Sequence, residues 1–448
     1  MIEERVLDNP DELARADDTE VLLDLASAGA VVRTAVRLAG EAGLDRLHPE
    51  GRPRAVFVAG HGTSALTGEL LAALGNGSCP ITVLRPTTAD DSAGSAIAYT
   101  SALLWNLPGW AGPSDLLMAL STTGAEPGLV ALLEQGYARG CSTVVVAPAD
   151  SALSEAALQT RGLPLPFLAR AEAPRHRTAF PEGDLPRELP SSLWGLLAPV
   201  LVLADLIGVV DAAPASVQAA ADRLDEAAVR CRPGAETYGN PAKTLAVQLD
   251  GVLPLLWSDG PCTGAVALRF AAVLADLAGR PAVCATLPEA LSTQYGLLAG
   301  NLAPDPDEDD FFRDRAEDGA ELRLKVLLLH RSPEPDQHAD PFADPFTDHL
   351  SDPPADQRFE QRFEQRADDW ADERAEQGRT PTSRRILARA RRLATDHQIA
   401  VSELASARSD NLEAIAELVA LTDFAAAYLG LASSGTADVP AGAAPADT

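Results

Sequence analysis

Short apolar runs alternate with helical segments through the first half of the chain. Five runs, AVFVAG, ITVLRP, DLLMALS, STVVVAP and LPLPFLA, are bounded by Gly, Pro or Ser, and several segments between them carry apolar residues at helical spacing. Strands that alternate with helices in this way are typical of βαβ units, whose parallel sheet is covered by helices on both faces. Before them, residues 11–44 show helical spacing without a strand signal. Residues 1–44 are therefore predicted to form a leading helix or a pair of helices.

The second half of the chain repeats this alternation after the polar stretch RCRPGAETYGNPAKTL. The runs GVLPLLWS, RPAVCATL, LRLKVLLLH and QIAVSEL have the composition of strands, and residues 264–277, 382–394 and 409–431 have helical patterns. We therefore predict an α/β fold with two three-layer αβα domains, each built on a parallel sheet of the flavodoxin- or Rossmann-like kind.

The domain limits follow from these patterns and from a change in composition. The first domain is assigned to residues 45–212 and the second to residues 213–334 and 379–432. Between the two parts of the second domain, residues 335–378 carry 13 acidic residues against 4 arginines, in low-complexity repeats. Such a segment buries too little apolar surface to offset the entropy of ordering, so we predict a disordered acidic insertion, with partner binding as the alternative. Residues 433–448 are predicted to form a flexible tail.

Composition narrows the classes of partner. The formal net charge of −29 argues against nucleic acid and membranes as partners, because both attract surplus Lys and Arg. An anionic metabolite remains compatible, since a local pocket can be positive within an acidic protein. The longest apolar candidate for a membrane span, LWGLLAPVLVLADLIGVV, contains Pro199 and Asp205, and the first residues, MIEERVLDNPDEL, lack the apolar core of a signal peptide.

The cysteines and histidines show neither a disulfide pattern nor a metal-ligand pattern. Five scattered cysteines without a CxxC pair are typical of reduced thiols in the cytosol. The seven histidines lack a ligand spacing such as HExxH. We therefore expect a cytoplasmic protein that uses no metal ion and no organic cofactor.

Two strand–turn–helix segments carry the candidate chemistry. Residues 55–74, AVFVAGHGTSALTGELLAAL, and residues 115–140, DLLMALSTTGAEPGLVALLEQGYARG, each pass from a strand through a turn rich in Gly, Ser and Thr into a helix. Backbone N–H groups and hydroxyls at a helix N-terminus favour an anion, so two such turns predict one phosphate held from two sides. The alternative is that these Ser and Thr residues only cap their helices. The predicted phosphate-binding residues are Gly62, Thr63, Ser64, Ser121, Thr122, Thr123 and Gly124.

These turns resemble the sugar isomerase (SIS) domain, and the order of segments resembles the bifunctional phosphoglucose/phosphomannose isomerases, which carry two SIS domains. The resemblance extends over residues 55–431 without the acidic insertion. The first turn, GHGTSA, stands where the family has GMGGSA, and the second, STTGAEPG, stands where it has SYSGNTEE. Further motifs that resemble the family's are Leu107-Pro108, Pro186-Arg187, Asn240-Pro241-Ala242-Lys243, Leu287-Pro288-Glu289, Thr422-Asp423-Phe424 and Tyr428-Leu429.

The resemblance implies isomerisation of glucose 6-phosphate or mannose 6-phosphate with fructose 6-phosphate, in a homodimer whose site lies between domains and subunits. In such a reaction a carboxylate moves a proton between carbons 1 and 2, and a second group opens the sugar ring. The family's base lies five residues before a proline. Counting back from Pro281 gives Asp276, and Arg269 matches the family's arginine seven residues earlier. Asp276 is one methylene shorter than the family's glutamate, and a solvated position on its helix is the alternative.

Three positions depart from the family pattern. Ser292 stands where the family has its ring-opening histidine, and a lone hydroxyl cannot replace imidazole as a proton shuttle near neutral pH. His61 replaces a methionine and is a candidate for ring opening or sugar contacts, with a histidine hydrogen-bonded inside its own turn as the alternative. Glu126 replaces a threonine, and its carboxylate opposes a phosphate dianion unless it points outward and serves only the helix N-terminus.

The remaining catalytic candidate is Arg187, whose permanent charge would stabilise the enediolate or contact the sugar. The alternative is a loop arginine paired with Glu188 or Asp184. Two classes of function follow. The chain is either an aldose–ketose isomerase, or a protein that keeps the phosphate site, lacks catalysis and acts as a sugar-phosphate sensor or regulatory partner.

Overall fold

The chain forms two parallel sheets flanked by helices, which confirms the predicted α/β fold with two three-layer units. A computed structural model describes residues 4–49, 51–88, 102–168, 188–300, 323–331 and 382–434. The predicted acidic insertion and residues 435–448 lie outside the described residues.

The first sheet contains five parallel strands, one for each apolar run in the first half of the sequence. The strands of this half are β1 (Val56–Ala59), β2 (Ile81–Leu84), β3 (Thr87–Thr88), β4 (Leu103–Leu104), β5 (Leu116–Leu120), β6 (Ser142–Ala147) and β7 (Leu163–Pro166). Their order across the sheet is β2-β1-β5-β6-β7, and β3 and β4 form a separate antiparallel ribbon. Every residue of β1 and β5 is buried, as expected for strands covered on both faces.

The second sheet contains four parallel strands. They are β8 (Val252–Ser258), β9 (Val283–Thr286), β10 (Arg323–Arg331) and β11 (Ala400–Ser406), in the order β11-β10-β8-β9. In both sheets the chain runs first to one side of its starting strand and then returns on the other side. Each sheet therefore has a topological switch point, between β1 and β5 in the first sheet and between β8 and β10 in the second.

The N-terminal segment contains four helices, where the sequence predicted one or two. They are α1 (Glu4–Leu7), α2 (Pro10–Ala16), α3 (Val21–Ala26) and α4 (Ala28–Glu41). Asn9 starts α2, because its side chain accepts hydrogen bonds from the N–H groups of Asp11 and Glu12 and Pro10 suits the first helical position. The cap at Asn9 therefore separates α2 from α1.

The remaining helices cover the sheets and join the two units. They are α5 (Thr63–Leu74), α6 (Pro127–Ala138), α7 (Ala152–Gln159), α8 (Ser192–Leu206), α9 (Pro214–Arg230), α10 (Pro241–Leu249), α11 (Pro261–Ala278), α12 (Ala290–Thr293), α13 (Tyr295–Ala299), the linking helix (Thr382–Asp396) and the C-terminal helix (Asn411–Ser434). The C-terminal helix packs against α9, α10 and α11 and reaches the N-terminal helices α1, α2 and α3. It is therefore the central helix of the shared core.

Two helices, α11 and the C-terminal helix, are long and apolar enough by composition to cross a bilayer. Within the fold, however, 50% of the apolar window of α11 and 89% of that of the C-terminal helix are buried. Core helices of globular proteins satisfy the same criterion, so their length is weak evidence for a membrane span.

Candidate anion-binding crevice

The two hydroxyl-rich turns meet at the switch point of the first sheet, where ligands of open α/β sheets bind. We call the space between residues 60–62 and residues 121–126 the crevice. Two glycines allow this approach. A Cβ at Gly60 would lie only 3.0 Å from the carbonyl oxygen of Leu120. Gly124 has φ +66°, and a Cβ at this position would collide with the side chain of Ser151.

The side chain of Glu126 points into the crevice and is 1% exposed, so the outward orientation considered from the sequence is not adopted. Its carboxylate accepts hydrogen bonds from the hydroxyls of Ser121, at 2.7 Å, and Thr123, at 2.9 Å. The His61 Nε2 atom lies 3.1 Å from the same carboxylate. Burial alone would raise the pKa of Glu126, but the hydrogen bonds from His61, Ser121 and Thr123 outweigh it and lower the pKa to about 2. Glu126 is therefore ionised at neutral pH.

His61 belongs to the first turn but bonds to the second one. Its side chain is 22% exposed, and the hydrogen bond to Glu126 raises the pKa of the imidazole above its ordinary value, against the opposing effect of burial. The imidazole of His61 and the ionised carboxylate of Glu126 thus face each other inside the crevice, and this contact favours the protonated form of His61.

The carboxylate of Glu188, a residue that belongs to neither turn, accepts hydrogen bonds from both turns. The backbone N–H of Thr63 donates to Glu188 Oε2 at 2.9 Å, and the hydroxyl of Thr122 donates to Glu188 Oε1 at 2.8 Å. Neither α5 nor α6 is capped by a hydrogen bond from the side chain of its own N-cap residue, Gly62 or Glu126. Glu188 instead supplies the acceptor at the N-terminus of α5, where the helix dipole favours negative charge.

The other predicted phosphate-binding residues line the same turns. Ser64 is 1% exposed in the first turn of α5, and Gly62 has φ +54°. The Ser121 oxygen also accepts hydrogen bonds from the backbone N–H groups of Gly124, at 2.6 Å, and Thr123, at 3.1 Å. The hydroxyls of Ser121, Thr122 and Thr123 thus all donate to carboxylates of the chain itself.

The predicted catalytic residues lie in three different places. Asp276 is exposed near the end of α11, and Ser292 is exposed on α12, where its hydroxyl donates to the carbonyl oxygen of Glu289 at 2.9 Å. Arg187 lies outside the described residues. His61 contacts the crevice residue Glu126, and the catalytic roles of all four residues remain predictions.

A buried ionic network holds the segment that carries Glu188. Arg269 pairs with Asp423 at 3.0 Å and donates to the carbonyl oxygen of Pro190 at 3.2 Å. Asp24, which is 0% exposed, accepts hydrogen bonds from the N–H and the hydroxyl of Ser191 at 2.8 and 2.6 Å. Residues 190 and 191 are therefore fixed to α3, α11 and the C-terminal helix. These contacts hold the backbone close to Glu188 in place.

Sequence reasoning missed two residues of this region. Glu188 was considered only as a partner of Arg187. Trp105, which is 4% exposed, has its ring centroid 6.4 Å from that of His61, and its indole nitrogen has no hydrogen-bond partner in the described chain. Neither Glu188 nor Trp105 belongs to the two turn segments, and no motif in the sequence links them to the turns.

No group of three or more His, Cys, Asp or Glu side chains in the described ranges is arranged to hold a metal ion. The five cysteines all lie in described ranges and are free thiols. Within the described residues, the crevice offers hydrogen-bond donors, an imidazole and two carboxylates as its chemical groups.

We expect Glu126→Gln to flatten the pH dependence of stability in acid. The pKa of Glu126 is about 2 in the folded chain against an ordinary value of 4.5, so the unfolded chain takes up the proton first as the pH falls. Between pH 4.5 and pH 2, wild type should lose stability faster than the variant, by about 1.4 kcal/mol per pH unit. Urea unfolding across this range measures the difference.

The pKa of His61 is raised, so its effect on the pH dependence of stability is opposite to that of Glu126. The stabilisation from His61 is full below pH 6.5 and is lost as the pH rises through the raised pKa.

Glu134→Gln is the matched control for Glu126→Gln, because Glu134 is exposed on α6 and its replacement changes the charge equally. This control should keep the wild-type slope. Parallel acid curves for wild type and Glu126→Gln would contradict the ionised, hydrogen-bonded state of Glu126.

The two parallel sheets, with a strand–turn–helix crevice at the switch point of the first, form the architecture that the sequence resemblance implies. Residues 239–351 match the bacterial phospho-glucose isomerase C-terminal SIS domain. The chain thus contains an SIS domain and resembles phosphoglucose isomerase, which confirms the resemblance seen in the sequence. The matched residues that the structure describes lie in the second unit, and the match does not include the crevice.

Solved structures share the fold over nearly the whole chain. One, from Silicibacter pomeroyi, carries a provisional assignment as a phosphosugar isomerase; it has 13% identity and a TM-score of 0.51, and the alignment covers 93% of this chain and 98% of that one. Another, a protein of Thermus thermophilus without an assigned function, has 13% identity and a TM-score of 0.53, with 96% and 88% covered. At this identity the similarity shows the fold alone. No curated protein sequence matches the chain.

Proposed function

We propose that the chain binds a phosphorylated sugar in the crevice and acts as a sensor or regulatory partner, with little or no isomerase activity. The observation that carries this proposal is the convergence of two donors from different turns, the Thr63 N–H and the Thr122 hydroxyl, on one carboxylate. Donors that converge on a carboxylate at a helix N-terminus also suit a phosphate oxygen, because both are anionic acceptors.

The replacement of the family's histidine at position 292 favours recognition over turnover. Ser292 takes its place, and its hydroxyl donates to the carbonyl oxygen of Glu289, the residue before α12. A hydroxyl without a neighbouring base is a poor general acid or base near neutral pH. Asp276, the proposed substitute for the family's glutamate, has the shorter side chain, and a displacement near 1 Å costs on the order of a hundredfold in rate.

The second candidate is an aldose–ketose isomerase for glucose 6-phosphate or mannose 6-phosphate and fructose 6-phosphate. The observation that favours it is His61, a partly exposed imidazole beside the anion donors, whose contact with Glu126 raises its pKa. An imidazole held by a carboxylate is a suitable acid for opening a sugar ring. In this case His61 would replace the missing histidine, and Asp276 would be the base.

A combined binding and exchange experiment separates the two candidates. We expect fructose 6-phosphate or an aldose 6-phosphate to stabilise the full chain, by about 2.7 kcal/mol at a hundredfold excess over Kd, because the ligand binds only the folded state. Fructose without phosphate should have no effect. In D2O, we expect no deuterium incorporation at carbon 2 of glucose 6-phosphate above the blank, as measured by NMR.

Deuterium exchange that disappears in both Asp276→Asn and His61→Ala would establish the isomerase instead. Exchange that continues in His61→Ala would remove the role of His61 in catalysis. If the folded protein is not stabilised by any of the three sugar phosphates, the proposal of a sugar-phosphate site is wrong.

Two further properties belong to this proposal: the resemblance implies the first, and the unpatterned cysteines favour the second. We propose that the protein is a homodimer, and that it acts in the cytoplasm. Light scattering during size-exclusion chromatography measures the mass of the particle, for which a chain of 46.9 kDa gives the reference value.

A further inference from the structure

We infer that Glu188 is a built-in competitor for the anionic group of the ligand, so that the ligand binds by replacing the Glu188 carboxylate on Thr63 and Thr122. This inference rests on the proposed function and specifies how its site is regulated. Both of these donors, which belong to the predicted anion-binding turns, bond to this carboxylate. A phosphate ester can reach them only when Glu188 leaves.

The two carboxylates of the crevice differ in how easily they can leave. Glu126 is 1% exposed and accepts hydrogen bonds from Ser121, Thr123 and His61, so its displacement would break three hydrogen bonds in a buried place. Glu188 is only half-buried, and among the described residues it accepts from two donors, one from each turn. The mobile occupant is therefore Glu188, and Glu126 stays as a fixed part of the wall.

Charge also favours an exchange of one anion for another. Glu126 is already engaged with His61, so the site without Glu188 presents the N-terminal dipole of α5 with the Thr63 N–H and the Thr122 hydroxyl. When the Glu188 side chain leaves, its negative charge leaves the site, and a phosphate monoester replaces that charge. A neutral sugar cannot replace it. The ligand is therefore anionic, and its phosphate determines binding.

The backbone next to Glu188 is fixed, which confines the exchange to the side chain. Pro190 and Ser191 are held by Arg269 and Asp24, both buried. The carboxylate therefore remains close to the crevice after displacement and competes with every bound ligand. A site that is free only part of the time has an apparent Kd raised by the inverse of that fraction.

Calorimetric titration of wild type and Glu188→Gln with fructose 6-phosphate and with inorganic phosphate tests this competition. The glutamine has the same shape and can still accept from Thr63, but it carries no charge and is a weaker competitor. We expect Glu188→Gln to bind fructose 6-phosphate about 10- to 100-fold more tightly than wild type. Glu134→Gln, the exposed control on α6, should bind as wild type does.

Glu188→Ala serves as the second variant and should also bind more tightly than wild type, with its folding checked by circular dichroism. If wild type binds fructose 6-phosphate and neither variant binds it more tightly, Glu188 is not a competitor and the inference is overturned while the proposed function stands. If folded wild type and both variants bind none of the sugar phosphates, the proposed function itself fails. An equal gain in Glu134→Gln would show that only net charge matters and would also overturn the inference.

Discussion

Replacing Arg269 with methionine is expected to lower the free energy of unfolding by about 3–5 kcal/mol, because it leaves a buried carboxylate without its partner. Arg269 is 3% exposed and Asp423 is 1% exposed, and the guanidinium also donates to the carbonyl oxygen of Pro190. Burial already raises the pKa of Asp423 even with Arg269 beside it, so the variant should bury a protonated Asp423. Urea unfolding at neutral pH measures the loss.

Two controls separate this buried pair from ion pairs in general. The Arg37–Glu41 pair on α4 is more than half exposed on both sides, and Arg37→Met should change stability by only about 0.5 kcal/mol. The double variant Arg269→Met with Asp423→Leu should recover much of the loss, since an apolar pair of suitable volume can replace a buried ion pair. A loss below about 1 kcal/mol for Arg269→Met alone would contradict the structural role assigned to the pair.

Replacing Lys243 with methionine is expected to lower the free energy of unfolding by at least about 3 kcal/mol, because each buried carbonyl left without a donor costs about 1–3 kcal/mol. The Nζ atom of Lys243 donates to the carbonyl oxygens of Leu7, Pro233 and Ala235 at 2.5–2.7 Å, and the side chain is 0% exposed. It also lies 5.4 Å from the centroid of the Tyr428 ring. Thermal and urea unfolding of the variant measure the loss.

The chain provides its own control, because its two lysines are Lys243 and Lys325. Lys325 makes an exposed contact of 3.3 Å with Gln248, so Lys325→Met should cost less than about 1 kcal/mol. Labelling with an amine-reactive reagent gives a second readout on wild type, in which Lys325 should react in the native state and Lys243 only after unfolding. Rapid native labelling of Lys243 would contradict its burial.

The α/β class could be predicted from the sequence because each buried parallel strand is a short apolar run between turn residues. The strand predictions in both halves of the chain and the helices near residues 264–277, 382–394 and 409–431 are confirmed. The number of N-terminal helices was not predicted, since the breaks depend on single residues: Asn9 caps α2, and Asp17 accepts from the N–H groups of Val21 and Leu22 at the start of α3. Helix limits set by one or two hydrogen bonds are weak signals in apolar periodicity.

Only those features of the crevice that depend on local sequence could be predicted. The meeting of the two turns follows from the strand order, and the sequence shows that Glu126 stands where the family has threonine. The role of Glu188 was not, because its partners Thr122 and Thr63 lie 66 and 125 residues away along the chain. Arg269 and Asp423 are separated by 154 residues. Polar partners at such distances are chosen by the packed core, which no local pattern encodes.

The position of the C-terminal helix has a consequence for biosynthesis. This helix fills the middle of the shared core and touches the first helices of the chain, although it follows them by nearly the whole sequence. On the ribosome, the apolar faces of α2, α3 and α11 therefore stay uncovered until residues 411–434 have been translated. We expect the nascent chain to depend on chaperones that shield these faces, and we expect shortened translation products to be removed by proteolysis.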